Sequence, residues 1–375
     1  MARIDLFEME RMQSLYWHRV EVDLSESGVV PMTIRELLEP EADAEAFLAT
    51  ALGYPLSEGA EETRAAVASF YPGASAEHVT LCNGGSEANL LVLWTLLEPG
   101  DRLAFMVPNY LQGWGLGRHF GEATDTFGLR REGDRWALDL EALERAVTPR
   151  TKAVMVCNPN NPTGAVLTEA EMEAVIEVAD RVGAWIVADE IYRGAELAGE
   201  AVTPTFFGRA ERVVVTSGLS KAFGMPGLRS GWVVAPPELI REVWVRHDYT
   251  TLTPSAISDR LTGLALRPEV RERILARTRG IVRANLPVVL DWVGEHRDVL
   301  SLIPPVAGAI CYLSYELELE ARALAERLRT ERSVLVVPAE MFGVAERAFR
   351  IGFGDRPERL RDGLERIGKL LAELS

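Results

Sequence analysis

Between residues 78 and 235, short runs of β-branched and apolar residues alternate with longer amphipathic segments. The short runs are HVTLC, RLAFMV, KAVMVC, AWIVA, RVVVTS and GWVVA. Strands that are apolar along their whole length are typical of a parallel sheet that helices cover on both faces. The alternation therefore predicts an α/β fold with a mainly parallel sheet flanked by helices.

The pattern changes after about residue 275, where two long charged amphipathic helices flank the runs SVLVVP and FRIGFG. This pattern indicates a smaller α+β domain, and we expect the first forty-odd residues to pack with it. We predict a large domain at 46–275 and a small domain built from 1–45 and 276–375. Because no Gly/Ser-rich linker separates them, the two domains are expected to pack closely.

The charge balance argues against several classes of partner. The chain has 40 Lys and Arg against 56 Asp and Glu, a formal net charge of −16, which repels phosphate backbones and anionic membranes. We expect no nucleic-acid partner and, since no apolar run approaches the length of a span, no membrane. Three separated cysteines and five histidines without ligand spacing predict no disulfide and no metal, and they favour a cytoplasmic protein.

The segment SGLSKAFGMPGLRSGW, which begins at Ser217, carries the most chemical information. Lys221 follows an apolar strand among small residues, and Arg229 lies eight positions further on. A lysine that forms an imine needs a partly desolvated site, and nearby glycines let a bulky cofactor approach the backbone. Arg229 is suited to hold a phosphate through forked hydrogen bonds. Taken alone, the segment fits equally well a glycine-rich loop with an ordinary lysine and arginine.

Two further segments place polar groups after apolar strands. In CNGGSEANL, Gly85 and Ser86 precede an apolar helix, whose first N–H groups and dipole form an anion cradle. In VCNPNNPTG, prolines and asparagines fix an irregular loop in which an Asn amide can donate to a ring hydroxyl. Each segment is also compatible with a plain turn.

The unit from Lys152 to Asp189 has the clearest βαβ pattern. Thr168 and Glu171 form a capping-box pattern at its helix, and Gly183 ends that helix. The next strand delivers Asp189 at its carboxyl end, the edge where open α/β sheets bind ligands. An unpaired carboxylate there is costly unless it meets a cation such as a protonated pyridine nitrogen, and capping of the next helix is the alternative role.

Together these segments resemble the class I/II aminotransferase family of fold-type I pyridoxal-phosphate enzymes, over nearly the whole chain. The resemblance implies pyridoxal 5′-phosphate as cofactor, bound through a Schiff base with Lys221. It implies that Asp189 contacts the pyridine nitrogen and that Asn161 and Tyr192 contact the ring hydroxyl. The implied phosphate ligands are Gly85, Ser86, Ser220 and Arg229.

The resemblance extends to the substrate and to a second subunit. Tyr110 aligns with the aromatic that stacks on the cofactor ring, and Tyr54 aligns with a tyrosine that reaches a neighbouring subunit's phosphate, which implies a homodimer with shared active sites. Arg350 in FRIGFG implies a clamp for the substrate carboxylate, with Gly28 and Asn161 close to it. The chain departs from the family pattern at Ser230 and Thr63, where aliphatic residues are usual, and it lacks the usual G-x-P turn near Gly28.

The implied activity is transfer of an amino group between an L-amino acid and a 2-oxo acid, with Lys221 as the base at the α-carbon. A lyase, racemase or cyclase uses the same residues, and DLSESGV faintly resembles the capreomycidine-synthase-like branch of the family. A non-catalytic sensor is disfavoured because the N-terminus leaves no room for a helix-turn-helix domain. Candidate substrate contacts, by proximity in sequence only, are Trp17, Trp114, Arg246 and Tyr249.

Overall fold

The computed structural model describes residues 4–38 and 41–374. Its strands, in chain order, are β1 (Val22–Asp23), β2 (Val79–Cys82), β3 (Arg102–Val107), β4 (Ala123–Glu132), β5 (Arg135–Leu138), β6 (Thr151–Cys157), β7 (Trp185–Asp189), β8 (Val213–Gly218), β9 (Gly231–Val234), β10 (Leu300–Leu302), β11 (Ile310–Tyr315), β12 (Val334–Leu335), β13 (Val337–Pro338) and β14 (Ala348–Gly352).

The α-helices are α1 (Glu8–Tyr16), α2 (Ile34–Leu37), α3 (Glu41–Leu48), α4 (Glu61–Ala68), α5 (Gly85–Leu96), α6 (Gln112–Phe120), α7 (Leu140–Ala146), α8 (Glu169–Val182), α9 (Pro237–His247), α10 (Ala256–Ala265), α11 (Pro268–Glu295), α12 (Ala321–Arg332) and α13 (Pro357–Leu374). Among residues 4–38 and 41–374, none of these helices has the length and apolar character that crossing a membrane requires.

The predicted α/β fold is confirmed by an eight-stranded sheet in the order β2-β9-β8-β7-β6-β3-β4-β5. Neighbouring strands are parallel from β8 through β7, β6 and β3 to β4, whereas β9 and β5 run antiparallel to their neighbours. The sequence analysis did not predict β4 and β5. In β4 only Phe127 is buried, so this strand has no continuous apolar run.

Alternate residues of the central strands enter two different cores. Val154 and Val156 of β6 pack in the core that contains α8, while Ala153 and Met155 pack against α5 and α6. Burial on both faces explains why these strands are apolar throughout. The predicted capping box of α8 is confirmed, because Thr168 Oγ1 accepts from the N–H of Glu171 at 3.2 Å.

A second sheet is antiparallel, with the order β10-β11-β14-β13. The N-terminal strand β1 pairs with β12 through Val22 and Val334, which joins the two ends of the chain. This pairing supports our proposal that 1–45 and 276–375 form a small domain beside 46–275.

Helix α11 contributes to both parts of the molecule. Ile274 and Leu275 pack in the core of the large sheet, and Val282 and Val289 of the same helix pack in the core of the small one. The proposed boundary at residue 275 therefore lies inside one continuous helix of 28 residues.

Candidate active site

A cleft of about 970 Å³ lies where the central strands of the large sheet end. Its floor includes Cys157 and Asp189, the last residues of β6 and β7, together with Lys221 beyond β8. Arg350 of β14 and residues 26–31 of the N-terminal segment line the opposite side. The cleft therefore occupies the carboxyl edge of the parallel strands, as α/β topology predicts.

Asp189 is held in a fixed orientation at the floor of the cleft. Its Oδ2 accepts from Asn89 Nδ2 at 3.1 Å, and its Oδ1 accepts from the N–H of Ile191 at 3.1 Å. Thr216 donates to Asn89 Oδ1 at 2.6 Å, which turns the amide nitrogen of Asn89 toward Asp189. Burial raises the pKa of Asp189, and these two hydrogen bonds oppose the rise. The carboxylate thus needs a cationic partner in the cleft.

The amino end of α5 and Arg229 form an anion-binding corner of the cleft. Gly85 opens α5, and no side chain caps the helix at Gly84, so its first N–H groups are available to a ligand. A Cβ atom at Gly84 would lie 2.6 Å from Arg229 Nη2, so only glycine lets the guanidinium approach. Ser86 and Ser220 line the same cleft. The left-handed backbone of Arg229, with φ of 48°, is the kind of strain that clusters at functional sites.

Lys221 is paired with a carboxylate of the N-terminal segment. Its Nζ donates to Glu26 Oε1 at 2.8 Å, and the same oxygen accepts from the N–H of Gly28 at 2.8 Å and of Ser27 at 3.0 Å. Burial alone would raise the pKa of Glu26, but the charge and hydrogen bond of Lys221 lower it to about 2. The side chain of Glu26 still opens to the cleft, with 43% of its surface exposed.

The tetrapeptide from Ser25 to Gly28 contacts three of the predicted site residues. The carbonyl oxygen of Ser25 accepts from Arg350, Glu26 accepts from Lys221, and Ser27 Oγ accepts from Tyr192 Oη at 2.9 Å. One short segment is therefore in contact with each of these three side chains.

Arg350 is buried at the small-sheet side of the cleft, with 1% of its surface exposed. Its Nη1 donates to Asn161 Oδ1 at 2.8 Å, and its Nη2 donates to the Ser25 carbonyl. Within the described part of the chain, Nε has no hydrogen-bond partner. Burial lowers the pKa of Arg350, and Tyr192 and Glu26 counteract this. A buried guanidinium with a spare donor is suited to bind a carboxylate.

Tyr110 stands on the wall of the cleft next to the N-terminal segment. Its hydroxyl donates to Glu10 Oε1 at 2.7 Å, and its ring lies 4.7 Å from that of Phe7. These contacts from α1 and the residue before it fix the tilt of the tyrosine ring. A ring held in this way offers a stacking surface to a flat ligand.

The structure brings most of the predicted residues together. Those lining the one cleft are Gly28, Gly85, Ser86, Tyr110, Asn161, Asp189, Tyr192, Ser220, Lys221, Arg229 and Arg350. Tyr54 lies elsewhere: it is 86% exposed and lines a smaller hollow of about 380 Å³.

Of the four candidate substrate contacts, only Trp17 lines the cleft. Trp114 packs against the guanidinium of Arg118, Arg246 pairs with Glu242, and Tyr249 is 80% exposed beside another tryptophan. Proximity in sequence was a poor guide for these three residues, because the structure places them outside the lining of the cleft.

The sequence analysis missed three residues that line the cleft and contact predicted site residues: Asn89, Glu26 and Ser27. Asn89 had a usable signal, since it lies one helical turn after Gly85 and so faces the same side of α5. Glu26 had no such signal in the sequence, because its contact with Lys221 spans 195 positions of the chain.

The comparisons with known proteins agree with this geometry. A family model described as aminotransferase class I and II matches residues 22–367. Capreomycidine synthase from Streptomyces vinaceus is 32% identical over 95% of this chain and 91% of its own. An aspartate/prephenate aminotransferase from Thermus thermophilus is 32% identical over 79% of this chain and 76% of its own. The crystal structure of a PLP-dependent aminotransferase from Streptococcus suis 89-1591 superposes with a TM-score of 0.91, at 29% identity, covering 100% of this chain and 99% of that one.

Proposed function

Because the chain belongs to the class I and II aminotransferase family, whose members depend on pyridoxal phosphate, we propose that it transfers an amino group between an L-amino acid and a 2-oxo acid. The observation that carries this proposal is the convergence of Lys221, Asp189 and Arg350 on one cleft. A base, a carboxylate for a ring cation and a carboxylate-binding guanidinium are what such a transfer requires.

The residues of the cleft fit this cofactor. The uncapped amino end of α5 and the Arg229 guanidinium suit its phosphate, and the close approach at Gly84 leaves Arg229 beside that helix end. The buried carboxylate of Asp189, whose pKa burial raises, suits a protonated ring nitrogen. Asn161 and Tyr192 line the cleft at positions suited to the ring hydroxyl, and Tyr110 suits the ring face.

The chemistry that pyridoxal phosphate supplies when bound is that of an electron sink for the bond broken at the substrate's α-carbon. Lys221 would serve first as the covalent anchor and then, through Nζ, as the base that removes the α-proton. Asp189 would stabilise positive charge on the ring nitrogen. Arg350 orients the substrate by its carboxylate, with Asn161 fixing the guanidinium.

A second candidate function is cyclase chemistry, with elimination and ring closure. The support for it is the capreomycidine synthase relative, to which the similarity extends over 95% of this chain. The same Lys221 and Asp189 would serve there, since the reactions diverge only after the α-proton has been removed. Lyase and racemase activities are further variants of the same site.

We also propose that the protein is a cytoplasmic homodimer with shared active sites. Tyr54 is exposed next to Leu52 and Leu56, which are 80% and 62% exposed, so this segment presents an apolar surface. Contact with a second subunit would bury it and bring Tyr54 to the partner's phosphate site. All three cysteines are free and buried, in keeping with a reducing compartment.

Borohydride reduction of the protein with pyridoxal phosphate tests the anchor directly. The chain has only three lysines, Lys152, Lys221 and Lys369. We expect peptide mass mapping to find the reduced adduct on Lys221. An adduct confined to exposed Lys152 or Lys369 would contradict the proposal.

A panel of amino acids, added singly to the holoenzyme, separates the two functions. Stoichiometric loss of the near-visible cofactor band, restored by a 2-oxo acid, supports transamination. Retention of the band with release of ammonia or formation of a cyclic amino acid supports the alternative.

A further inference from the structure

The substrate side of the cleft carries an excess of negative charge. Asp355 pairs with Arg359 at 2.9 Å, so these two lining residues offset one another. If Arg229, Asp189 and Lys221 engage the cofactor, the carboxylate and guanidinium side chains that remain in the lining are Glu10, Asp23, Glu26 and Arg350, and His18 lines the same cleft. The carboxylate of an amino acid on Arg350 would cancel the one guanidinium charge.

Glu26 is rigidly placed within this group. A Cβ atom at Gly352 would overlap the carbonyl oxygen of Glu26, so the backbone of Glu26 is packed directly on β14. The N–H of Gly352 donates to the Leu24 carbonyl at 2.7 Å, and that of Val30 donates to the Gly354 carbonyl at 2.8 Å. These backbone hydrogen bonds lie on both sides of Glu26. They therefore fix the position of its backbone at the edge of the cleft.

Asp23 is the second carboxylate of this wall. Its Oδ1 accepts from the N–H and the hydroxyl of Ser25, both at 2.7 Å. These two hydrogen bonds fix the orientation of the Asp23 side chain, which lines the cleft. Burial raises the pKa of Asp23, the hydrogen bonds from Ser25 oppose the rise, and the charge of Glu26 adds to it. Two neighbouring carboxylates that repel one another are stabilised by a shared cation.

Lys221 supplies a cation to Glu26 only while its amine is both free and protonated. When the amine is bound to the cofactor, or is uncharged so that it can act as the base, Glu26 lacks the cationic partner seen at 2.8 Å, although the N–H groups of Ser27 and Gly28 still fix it in place. In the same cleft buried Arg350 keeps its Nε without a partner among the described residues, and this donor would serve a carboxylate ligand. A molecule with a carboxylate at one end and a cation at the other satisfies both.

We infer that Glu26, assisted by Asp23, selects an amino acid with a cationic side chain, a guanidinium or an ammonium, as the substrate. This inference rests on the proposed function and names its substrate class. Glu26 thereby pairs with the amine of Lys221 in the free protein and with the cationic side chain when the substrate is bound.

The test is equilibrium binding to the holoenzyme, by calorimetry and by the cofactor absorption band. Arginine is compared with citrulline, which has nearly the same shape without the charge, and lysine with norleucine. We expect the cationic member of each pair to bind roughly tenfold more tightly or better, the range of a charge-assisted hydrogen bond. Equal binding within both pairs would overturn the inference, and this comparison needs no variant.

Glu26→Gln should bring the arginine-to-citrulline ratio close to one, and Asp23→Asn should lower it by a smaller factor. Asp355→Asn is the matched control, since it removes a carboxylate of the same cleft that is already paired with Arg359. An arginine-to-citrulline ratio that falls equally in Glu26→Gln and Asp355→Asn would indicate a general electrostatic effect of the cleft. That result would contradict selection by Glu26.

The failures of the two proposals are distinguishable. A holoenzyme that binds the cofactor on Lys221 yet prefers neutral or acidic amino acids would overturn the substrate class and leave the proposed function intact. The absence of both the cofactor band and the Lys221 adduct would overturn the two together.

Discussion

The two walls of the cleft differ in how the chain builds them. The cofactor wall comes from strand ends and the helix start that follows one of them, so its residues lie in compact motifs around Gly85, Asp189 and Lys221. The substrate wall joins segments that are distant in sequence: Ser25 contacts Arg350 across 325 positions. Under the proposed function, the sheet edge would determine the chemistry, and the choice of substrate would depend on a long-range contact between the two ends of the chain.

The largest expected effect is on the cofactor wall. Lys221→Ala removes both the covalent anchor and the base, and we expect turnover to fall by about 10⁴-fold or more, with loss of the near-visible band. Lys152→Ala, at an exposed position, is the control. Steady-state kinetics and absorption spectra check this, and near-normal turnover in Lys221→Ala would remove the basis of the proposed mechanism.

Asp189→Asn should come next, with a loss of turnover of about 10²-fold or more, because a neutral amide cannot hold positive charge on the ring nitrogen. The hydrogen bond from Asn89 would face a weaker acceptor, but the cleft would keep its shape. We expect cofactor binding to persist in an absorption titration. A variant with full turnover would show that the ring nitrogen has another partner.

On the substrate wall, Arg350→Lys should raise KM by roughly ten- to a hundredfold with a smaller change in kcat, because a lysine cannot make the forked contact. The cofactor band of the holoenzyme should remain. A loss of the band with unchanged KM would place Arg350 in the cofactor wall and break the distinction between the two walls.

Glu190→Gln should have the smallest effect on turnover, since Glu190 lies behind Asp189 and is buried away from the cleft. The substitution should instead change how the free energy of unfolding depends on pH. Burial raises the pKa of Glu190 to about 7, while the charge of Arg193 lowers it.

The direction in which the free energy of unfolding changes with pH follows from proton binding to Glu190. A carboxyl with a raised pKa in the folded state stabilises the fold below its ordinary pKa of 4.5, and this contribution disappears as the pH rises through about 7. We expect this contribution to the free energy of unfolding to be about 3 kcal/mol. Urea unfolding should be measured below pH 4.5 and above pH 7. Between these conditions the free energy of unfolding should fall less for Glu190→Gln than for the natural chain. An identical pH dependence would contradict the assigned titration.

Much of the cofactor wall could be predicted from sequence because local physics determines it. A strand that ends in Asp189 and a helix that starts at Gly85 carry their functional groups to one edge whatever the rest of the chain does. Strand β4 could not be predicted, since Phe127 is its only buried residue and the strand lacks an apolar run.

The substrate wall could not be predicted in the same way. Glu26 reads in sequence as one more acid in a chain with 56 acidic residues. Its proposed role depends on the packing of residues 24–30 against β14, which no local pattern encodes. The resemblance pointed to the same segment through Gly28, but to the glycine rather than to the charge.

Helix α11 has a consequence for how the molecule comes apart. Since Leu275 anchors it in one core and Val282 in the other, melting either core removes support from the other. We therefore expect a single cooperative unfolding transition. A protease cut near residue 275 would release no autonomous half, because each fragment would keep only part of a helix that both cores require.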